Sequence, residues 1–436
     1  MATKAETRSA EEWIEFGDEA YRKENFEEAI EFYKNAITVN PRAAFAYFKC
    51  GNSYSSLDRY KDSIIYYNNA IILNPGFSFA YFKRAVAFIE LHGFMKAIDD
   101  LNKAIELNKT FSFAYYRRGY CFFVLREFDK AIEDLTFCIE TNPSYALGYF
   151  YRGNCRYEQG DYEQAIKDYS KTVEIDPRHE KGYISRGLCL GNIKRYKEAI
   201  RDYSAAISIN PESLIAYNYR GLISSKAKDF ENAIKDFRKV IEMNPKSAEA
   251  YNNMGIARFA LKDFTNSIKE YNKAISLNPN SANAYFNRGN AKLHGGKPLD
   301  AIMDFDKAIE IEPTMANAYM GRANANVALE RHKEAVIEFS KAISINPKLF
   351  PAYIARGNAL MKMKYNKKAL EDFTLAIEIK SDNPLGYYNR GIAFKTNGNN
   401  AEAADDFFEF LKLHTNKSQA TIKTRNWLVK NGFPVP

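Results

Sequence analysis

The sequence lacks the features that mark membrane, secreted and several enzyme classes of protein. No run of 18 apolar residues is present, so we expect no membrane-spanning helix. The N-terminal stretch MATKAETRSAEEW has no apolar core of a secretory signal, which favours a cytoplasmic protein. No phosphate loop, Ser-His-Asp arrangement or G-x-S-x-G pattern stands out, and we therefore expect a protein that is not an enzyme.

Cysteine and histidine are scarce, with five of each in 436 residues. No two cysteines form a C-x-x-C pair, and their odd number predicts reduced thiols in the core: Cys50, Cys121, Cys138, Cys155 and Cys189. The histidines are scattered, and none lies at metal-binding spacing from a cysteine. We therefore expect no metal site and no cofactor.

The charge of the chain is unevenly distributed. The net charge is +8, from 62 basic and 54 acidic residues. The last 21 residues contain four basic side chains and no acid: Lys417, Lys423, Arg425 and Lys430. The rest of the chain is therefore close to balanced and shows no basic stripe of the kind that binds nucleic acid, which argues against a nucleic-acid partner.

Proline recurs with a period of 34 residues, at positions 41, 75, 143, 177, 211, 245, 279, 313 and 347, with Lys109 in the one missing place. Pro384 comes three residues late, which predicts a small insertion in the stretch IKSDN. We number each repeat of 34 from Ala10 as position 1. Position 4 is then Trp13 in the first repeat and Tyr in the other eleven, position 8 is Gly in ten of twelve, and position 20 is always Ala or Ser. Such a period indicates a repeat protein.

Each repeat predicts two helices. Positions 4, 7, 8 and 11 form one helical face, and positions 20, 24 and 27 form another after a break such as KENF or EQGDY. Proline at position 32 ends the second helix. The small residues at positions 8 and 20 allow the two helices to approach closely, beside the aromatic ring at position 4.

Residues 282–315 carry the full set of these signals, namely Tyr285, Gly289, Ala301, Phe305, Ala308 and Pro313. This pattern resembles the tetratricopeptide repeat family, and twelve such repeats cover residues 10–415. The resemblance implies an all-α fold, a right-handed superhelical solenoid of helix-turn-helix repeats, after an N-terminal extension of residues 1–9. Residues 416–436 resemble the family's C-terminal capping helix, in which Trp427 and Leu428 would cover the exposed end.

Position 7, where the family usually has leucine, is arginine in nine repeats: Arg84, Arg118, Arg152, Arg186, Arg220, Arg288, Arg322, Arg356 and Arg390. Sixteen residues later, position 23 is acidic in all nine: Asp100, Asp134, Asp168, Asp202, Asp236, Asp304, Glu338, Asp372 and Asp406. A buried cation is unfavourable unless it is paired, and guanidinium matches carboxylate in a two-point contact. We therefore predict an ion pair inside each repeat, with a ligand-facing arginine as the alternative.

The opposite face of the first helix, at positions 2, 5, 9 and 12, is apolar in repeats 2 to 5 and richer in asparagine later. The resemblance implies that this face lines a concave groove that binds extended peptides or partner helices. The predicted peptide-binding residues are Phe45, Phe48, Asn52, Phe79, Phe82, Phe113, Tyr116, Tyr120, Phe150, Asn154, Asn290, Asn324 and Asn358. The alternatives are that the aromatic side chains pack on one another or form a homodimer contact, and that the asparagines are simply solvated.

Some family members hold the acidic C-terminal tails of heat-shock chaperones through Lys at position 5 and Asn at position 9 of their first repeat. Here position 5 is Ile14 in the first repeat and is basic in none, which argues against chaperone tails and favours an apolar or neutral ligand. We therefore predict a non-catalytic scaffold that binds one or more protein partners. An RNA-binding repeat protein and a self-associating structural protein, hence a homo-oligomer, are the alternatives.

Overall fold

The structure is a computed structural model that describes residues 8–414, 416 and 418–435. All regular secondary structure in these residues is helical, in 25 helices. Apart from Arg8 and Ser9, the predicted N-terminal extension lies outside the described residues, as do Lys417 and Pro436 of the predicted cap. In the part of the chain that is described, no helix has the length and hydrophobicity needed to cross a bilayer.

The chain divides into two units, Met1–Tyr219 and Arg220–Pro436. The first unit contains α1 (Ala10–Arg22), α2 (Phe26–Val39), α3 (Ala44–Ser56), α4 (Tyr60–Leu73), α5 (Ser78–Glu90), α6 (Phe94–Leu107), α7 (Ser112–Val124), α8 (Phe128–Thr141), α9 (Ala146–Glu158), α10 (Tyr162–Ile175), α11 (Glu180–Asn192) and α12 (Tyr196–Ile209). The division falls within α13 (Leu214–Lys226). The second unit contains α14 (Phe230–Met243), α15 (Ala248–Ala260), α16 (Phe264–Leu277), α17 (Ala282–His294), α18 (Pro298–Ile311), α19 (Ala316–Ala328), α20 (His332–Ile345), α21 (Phe350–Lys362), α22 (Asn366–Ile379), α23 (Pro384–Thr396), α24 (Asn400–Leu413) and α25 (Gln419–Lys430).

The helices follow the predicted period. In every repeat the first helix begins at position 1 and the second begins at position 17. The predicted insertion in IKSDN is wrong, because α21 begins at residue 350 and α23 at residue 384, which is the usual spacing of 34. Pro384 is the first residue of α23, where the missing amide proton is tolerated because that N–H has no partner within the helix.

The two helices of a repeat pack through a small residue against a large ring. In repeat 5, a Cβ atom added to Gly153 of α9 would lie 2.8 Å from Cε1 of Tyr169 in α10, closer than carbon atoms can approach. Ala165 and Tyr169 are themselves fully buried. The prediction that positions 8 and 20 allow close approach is therefore confirmed, and the ring at position 24 fills the space between the helices.

The five cysteines are free and buried, which confirms the prediction of core thiols. Each lies in a helix and is buried. Burial raises the pKa of Cys50, Cys121, Cys155 and Cys189 to about 12. For Cys138 burial raises the pKa to about 11. All five thiols therefore stay protonated at neutral pH.

The last helix, α25, packs on the final repeat. Leu428 is fully buried, and the Trp427 ring lies edge-on to Phe407 at a centroid distance of 5.2 Å. Phe433, after the helix, stacks on Trp427 at 5.9 Å. The role of residues 416–436 as a cap stays a prediction.

Candidate functional site

The predicted arginine–acid pairs form within the repeats. In repeat 4, Nε and Nη2 of Arg118 donate to the two carboxylate oxygens of Asp134 at 2.8 and 2.7 Å. The same two-point contact joins Arg84 to Asp100, Arg152 to Asp168, Arg186 to Asp202, Arg220 to Asp236, Arg288 to Asp304, Arg356 to Asp372 and Arg390 to Asp406. Arg322 donates from Nη2 alone to Glu338, at 2.6 Å. The prediction of structural ion pairs is confirmed.

These arginines also have hydrogen-bond partners in the preceding repeat, which were not predicted from the sequence. Nη1 of Arg118 donates to Asn102 of the preceding repeat at 2.6 Å. The equivalent acceptors at position 25 are Asn68, Thr136, Ser170, Asn272, Asp306, Ser340 and Thr374. The signal was present at position 25 itself, which is basic only where the next position 7 is not arginine, as in Lys34 before Cys50 and Arg238 before Met254.

The guanidinium also lies beside the tyrosine at position 4 of its own repeat. The guanidinium carbon of Arg118 is 5.4 Å from the centre of the Tyr115 ring. Burial raises the pKa of Asp134, an effect that the hydrogen bonds from Arg118 only partly offset. These bonds in turn raise the pKa of Arg118. The arginine is thus held by scaffold groups on several sides, and the candidate binding site must lie elsewhere.

Aromatic rings at position 2 are exposed in three successive repeats of the first unit. Phe45 of α3, Phe79 of α5 and Phe113 of α7 are 48%, 50% and 46% exposed. We call these three residues the aromatic row. Exposed phenylalanine repeated at one structural position is unusual on a monomer surface and is typical of an interaction site.

Position 5, by contrast, is mostly buried. Phe48, Tyr116 and Phe150 are 8%, 5% and 8% exposed, and Phe82 is half-buried. Each packs on the ring at position 34, just before the next first helix, at centroid distances of 4.7 to 4.9 Å: Phe48 on Phe77, Phe82 on Phe111, Tyr116 on Tyr145 and Phe150 on His179. The alternative that the rings pack on one another therefore describes position 5. The covering ring at position 34 was not predicted from the sequence.

The predicted asparagines fall into two groups. Asn52 and Asn154 each accept a hydrogen bond of 2.8 Å, from the hydroxyls of Tyr67 and Tyr169, and are fixed by the fold. The other three lie in the second unit. Asn290 is half-buried, whereas Asn324 and Asn358 are exposed. Within the described residues, no hydrogen bond joins these three side chains to the rest of the protein. An asparagine ladder therefore stays a prediction.

Tyr120, the remaining predicted residue, is half-buried at position 9 and lies edge-on to Tyr151 at 5.1 Å. Tyr151 occupies position 6 of the next repeat. The pair Asn252 and Asn287 likewise joins position 5 to position 6, through a hydrogen bond of 3.1 Å. Position 6 therefore belongs to the same face as positions 5 and 9. We call positions 2, 5, 6, 9 and 12 of repeats 2 to 5 the first-helix surface.

Position 6 places basic side chains on this surface. Lys49 forms an ion pair of 3.1 Å with Asp18, but within the described residues no acid pairs with Lys83 or Arg117. Desolvation by the surrounding protein, together with the charge of Arg117, lowers the pKa of Lys83, although its side chain reaches solvent. The expectation of an apolar or neutral ligand was based on position 5 alone. It did not include these two cations at position 6.

A cavity of about 200 Å³ opens where α7, α9 and α11 meet on the same face. Its walls come mainly from positions 6, 9 and 12. Phe123, Tyr157 and Leu188 form the apolar part, and the polar part consists of Asn154, Ser185 and Glu158. Pockets of this size accept a single side chain rather than a small-molecule substrate. In the residues that the structure describes, no group of three or more His, Cys, Asp or Glu side chains could hold a metal ion.

Models of known repeat families match most of the repeats in this chain. Models of the TPR repeat match residues 17–58 and 257–296. Tetratricopeptide repeat models match residues 46–77, 112–145, 146–179, 180–213, 215–247, 286–350 and 350–383. The chain belongs to the tetratricopeptide repeat family. No curated protein sequence matches it significantly.

Several solved tetratricopeptide repeat structures are similar to this one. Yeast Tom70 is 18% identical over 97% of this chain and 96% of its own, with a TM-score of 0.49. Cut9–Hcn1, a hetero-tetramer of the APC/C, is 13% identical over 97% and 96%, with a TM-score of 0.47. A tetratricopeptide repeat protein from Parabacteroides merdae is 22% identical over 57% of this chain and 98% of its own, with a TM-score of 0.46. At these identities the likeness does not indicate a common partner.

Proposed function

We propose that this tetratricopeptide repeat protein is a non-catalytic scaffold that binds an extended segment or a helix of a partner protein on the first-helix surface. The observation that supports this most strongly is the aromatic row, three half-exposed phenylalanines at the same position of successive repeats. Burying such rings against a partner is favourable, at about 25 cal/mol for each Å² of apolar surface removed from water.

The aromatic row rests on the buried rings beneath it. Phe79 lies 4.9 Å from Phe111, and Phe113 lies 5.3 Å from Tyr145, edge-on. Phe45 stacks on Phe48 at 6.2 Å. Because these contacts hold the rings in place before a partner arrives, little side-chain entropy is lost on binding. The buried residues of position 5 thus contribute as a support rather than as contacts.

The rest of the surface supports a partner with mixed chemistry. The cavity beside Tyr157 fits one apolar side chain of the bound segment. The side-chain oxygens of Asn52 and Asn154 already accept hydrogen bonds from tyrosine hydroxyls within the protein. Lys83 and Arg117 favour a segment that carries no positive charge of its own at this point, because like charges repel. A reducing compartment such as the cytoplasm suits the five free thiols.

The proposal is tested by affinity capture from cell lysate with three forms of the protein. The row variant carries Phe45→Ala, Phe79→Ala and Phe113→Ala. The matched control carries Ile65→Ala, Ile72→Ala and Met95→Ala, which remove side chains that are at least as exposed but lie on second helices. Circular dichroism first verifies that all three forms are folded.

Proteins that bind the wild type and the control but not the row variant support the proposal. Identical captures by all three forms contradict it. Capture that depends on RNA, and disappears on nuclease treatment, favours the RNA-binding alternative. A concentration-dependent mass that the row variant alone abolishes favours self-association.

A further inference from the structure

The turns of repeats 11 and 12 differ from those of the first eight repeats. Position 17, the first residue of the second helix, is aromatic in repeats 1 to 8 and packs against the end of the first helix. Tyr162, for example, lies 5.6 Å from Tyr157, and Phe264 lies 5.5 Å from Phe259. In repeats 11 and 12 the same position is Asn366 and Asn400. The aromatic ring that packs against the end of the first helix in repeats 1 to 8 is therefore absent from repeats 11 and 12.

Two cavities open at this place, both within the second unit. One, of about 710 Å³, is walled by Leu370 and by asparagines that include Asn366 and Asn397, which hydrogen-bond each other at 2.7 Å. The other, of about 470 Å³, has an apolar wall of Ile337, Leu360 and Met363. Tyr365 and Lys368 line both cavities. In repeat 11 the aromatic residue stands at position 16 instead, where Tyr365 is 52% exposed and borders both cavities.

The charge around Tyr365 is one-sided. Residues 361–370 contain four lysines and no acid. Lys364, Lys367 and Lys368 line the cavities, with Lys333 from α20, and none of these four forms an ion pair within the described residues. Two acids lie on these walls, Glu371 and Asp372, and Asp372 accepts two hydrogen bonds from Arg356.

Some lysines on other second helices are neutralised by an acid of the same helix. Lys103, Lys171 and Lys307 each pair with a glutamate three residues later, at 2.7 to 2.8 Å. Single lysines without an ion pair in the described residues also occur on second helices, for example Lys61, Lys96 and Lys167. In repeats 10 to 12, however, four such lysines lie together beside two cavities, and this concentration of positive charge favours a ligand that carries negative charge.

We propose that this surface binds an acidic segment of a partner protein. We call it the Tyr365 surface and define it by Lys333, Ile337, Lys364, Tyr365, Lys367 and Lys368. An aliphatic side chain of the segment enters the cavity walled by Ile337, Leu360 and Met363, and its carboxylates pair with the lysines. A nucleic acid fits this surface less well, because Tyr365 offers a single exposed ring where single strands need several stacking platforms.

The Tyr365 surface is formed by α20, α22 and the turn that precedes α22, and it shares no residue with the first-helix surface. Its proposed ligand is also different in kind, since the lysines select charge whereas the aromatic row selects apolar surface. The two proposals can therefore fail separately.

The test uses the full chain and a fluorescein-labelled peptide, Asp-Glu-Asp-Leu-Leu-Asp-Glu-Asp, titrated by fluorescence anisotropy at low and physiological salt. The reversed variant carries Lys364→Glu, Lys367→Glu and Lys368→Glu. The matched control carries Lys226→Glu, Lys228→Glu and Lys235→Glu in repeat 7, with the same change of net charge. We expect salt-sensitive binding to the wild type, about tenfold or more weaker in the reversed variant and nearly unchanged in the control.

Two further variants test the role of the apolar cavity and the independence of this surface from the aromatic row. Ile337→Asn, a neutral change at an exposed position, is expected to weaken peptide binding several-fold, because it replaces part of the apolar wall that receives the aliphatic side chain. The row variant is expected to bind the peptide as the wild type does. Equal binding by the reversed variant and the control overturns the proposal, as does no binding to the wild type. Tighter binding of a uridine octanucleotide than of the peptide, lost in the reversed variant, overturns it in favour of a nucleic acid.

Discussion

Asn102, in the second helix of repeat 3, accepts a hydrogen bond of 2.6 Å from Nη1 of Arg118 in repeat 4. Because the same guanidinium holds Asp134, one arginine joins the second helices of two successive repeats. In repeat 1, Phe16 and Phe32 occupy positions 7 and 23, with their rings 5.9 Å apart. The arginine therefore belongs to the joint between repeats.

Removing one partner of this joint should destabilise the protein strongly. Asp134→Ala leaves a buried cation without its carboxylate, and we expect a loss of about 3 kcal/mol in the free energy of unfolding. Adding Arg118→Leu should recover at least half of that loss, since an apolar pair already serves in repeat 1. Urea denaturation followed by circular dichroism measures both. A double variant that is less stable than Asp134→Ala would contradict the account.

The residue at position 25 should be restricted by the arginine at position 7 of the next repeat. Asn102→Lys places an ammonium beside Arg118 at an exposed position, and we expect a loss of about 1 kcal/mol from the broken hydrogen bond and the screened repulsion. Arg118→Met should rescue this variant, because the chain itself places Arg238 before Met254. Thermal denaturation of the two single variants and the double variant is the measurement. Simple addition of the two losses would show that the positions do not interact.

Positions 2 and 5 of the first helix should respond differently to truncation. Phe48→Ala creates a cavity among packed rings, and we expect a loss of about 3 kcal/mol in stability. Phe79→Ala removes a half-exposed ring and should change stability by no more than about 0.5 kcal/mol. The two variants have the same chemistry and are compared by the midpoint of urea unfolding. Similar midpoints would mean that the two positions are equally buried in solution.

The thiols should be inert in the folded protein. Burial raises the pKa of Cys50 to about 12, so that almost no thiolate is present at neutral pH, and the same holds for the other four. We expect a thiol reagent such as Ellman's reagent to react with none of the five in the native state and with all five in denaturant. Rapid native labelling of any cysteine would show that its helix opens.

The sequence predicted the fold of each repeat because the determinants lie within 34 residues. Gly153 and Tyr169 must fit each other, and the pair Arg118 and Asp134 varies together, so both contacts are visible in the chain. Contacts between repeats were harder to predict. Phe77 covers Phe48 from the residue that precedes the next helix, a place outside the helical pattern.

The candidate site was predicted only in part for the same reason. The helical period placed Phe45, Phe79 and Phe113 on the correct face, but it could not say that Tyr116 on that face is covered by Tyr145. Position 6 was left out because it lies at the border of the predicted face. Its assignment needed the contact of Tyr151 with Tyr120, which joins two successive first helices.

The central claim is that the aromatic row contacts a partner protein, and site-specific photocrosslinking in cells tests it most directly. A photoreactive phenylalanine analogue is placed at Phe79 in one form and at Ile72, which is exposed on a second helix, in another. The account predicts a crosslinked partner protein at position 79 and none at position 72. Crosslinks at position 79 to RNA alone or to a second copy of the chain, or equal crosslinking at both positions, would contradict it.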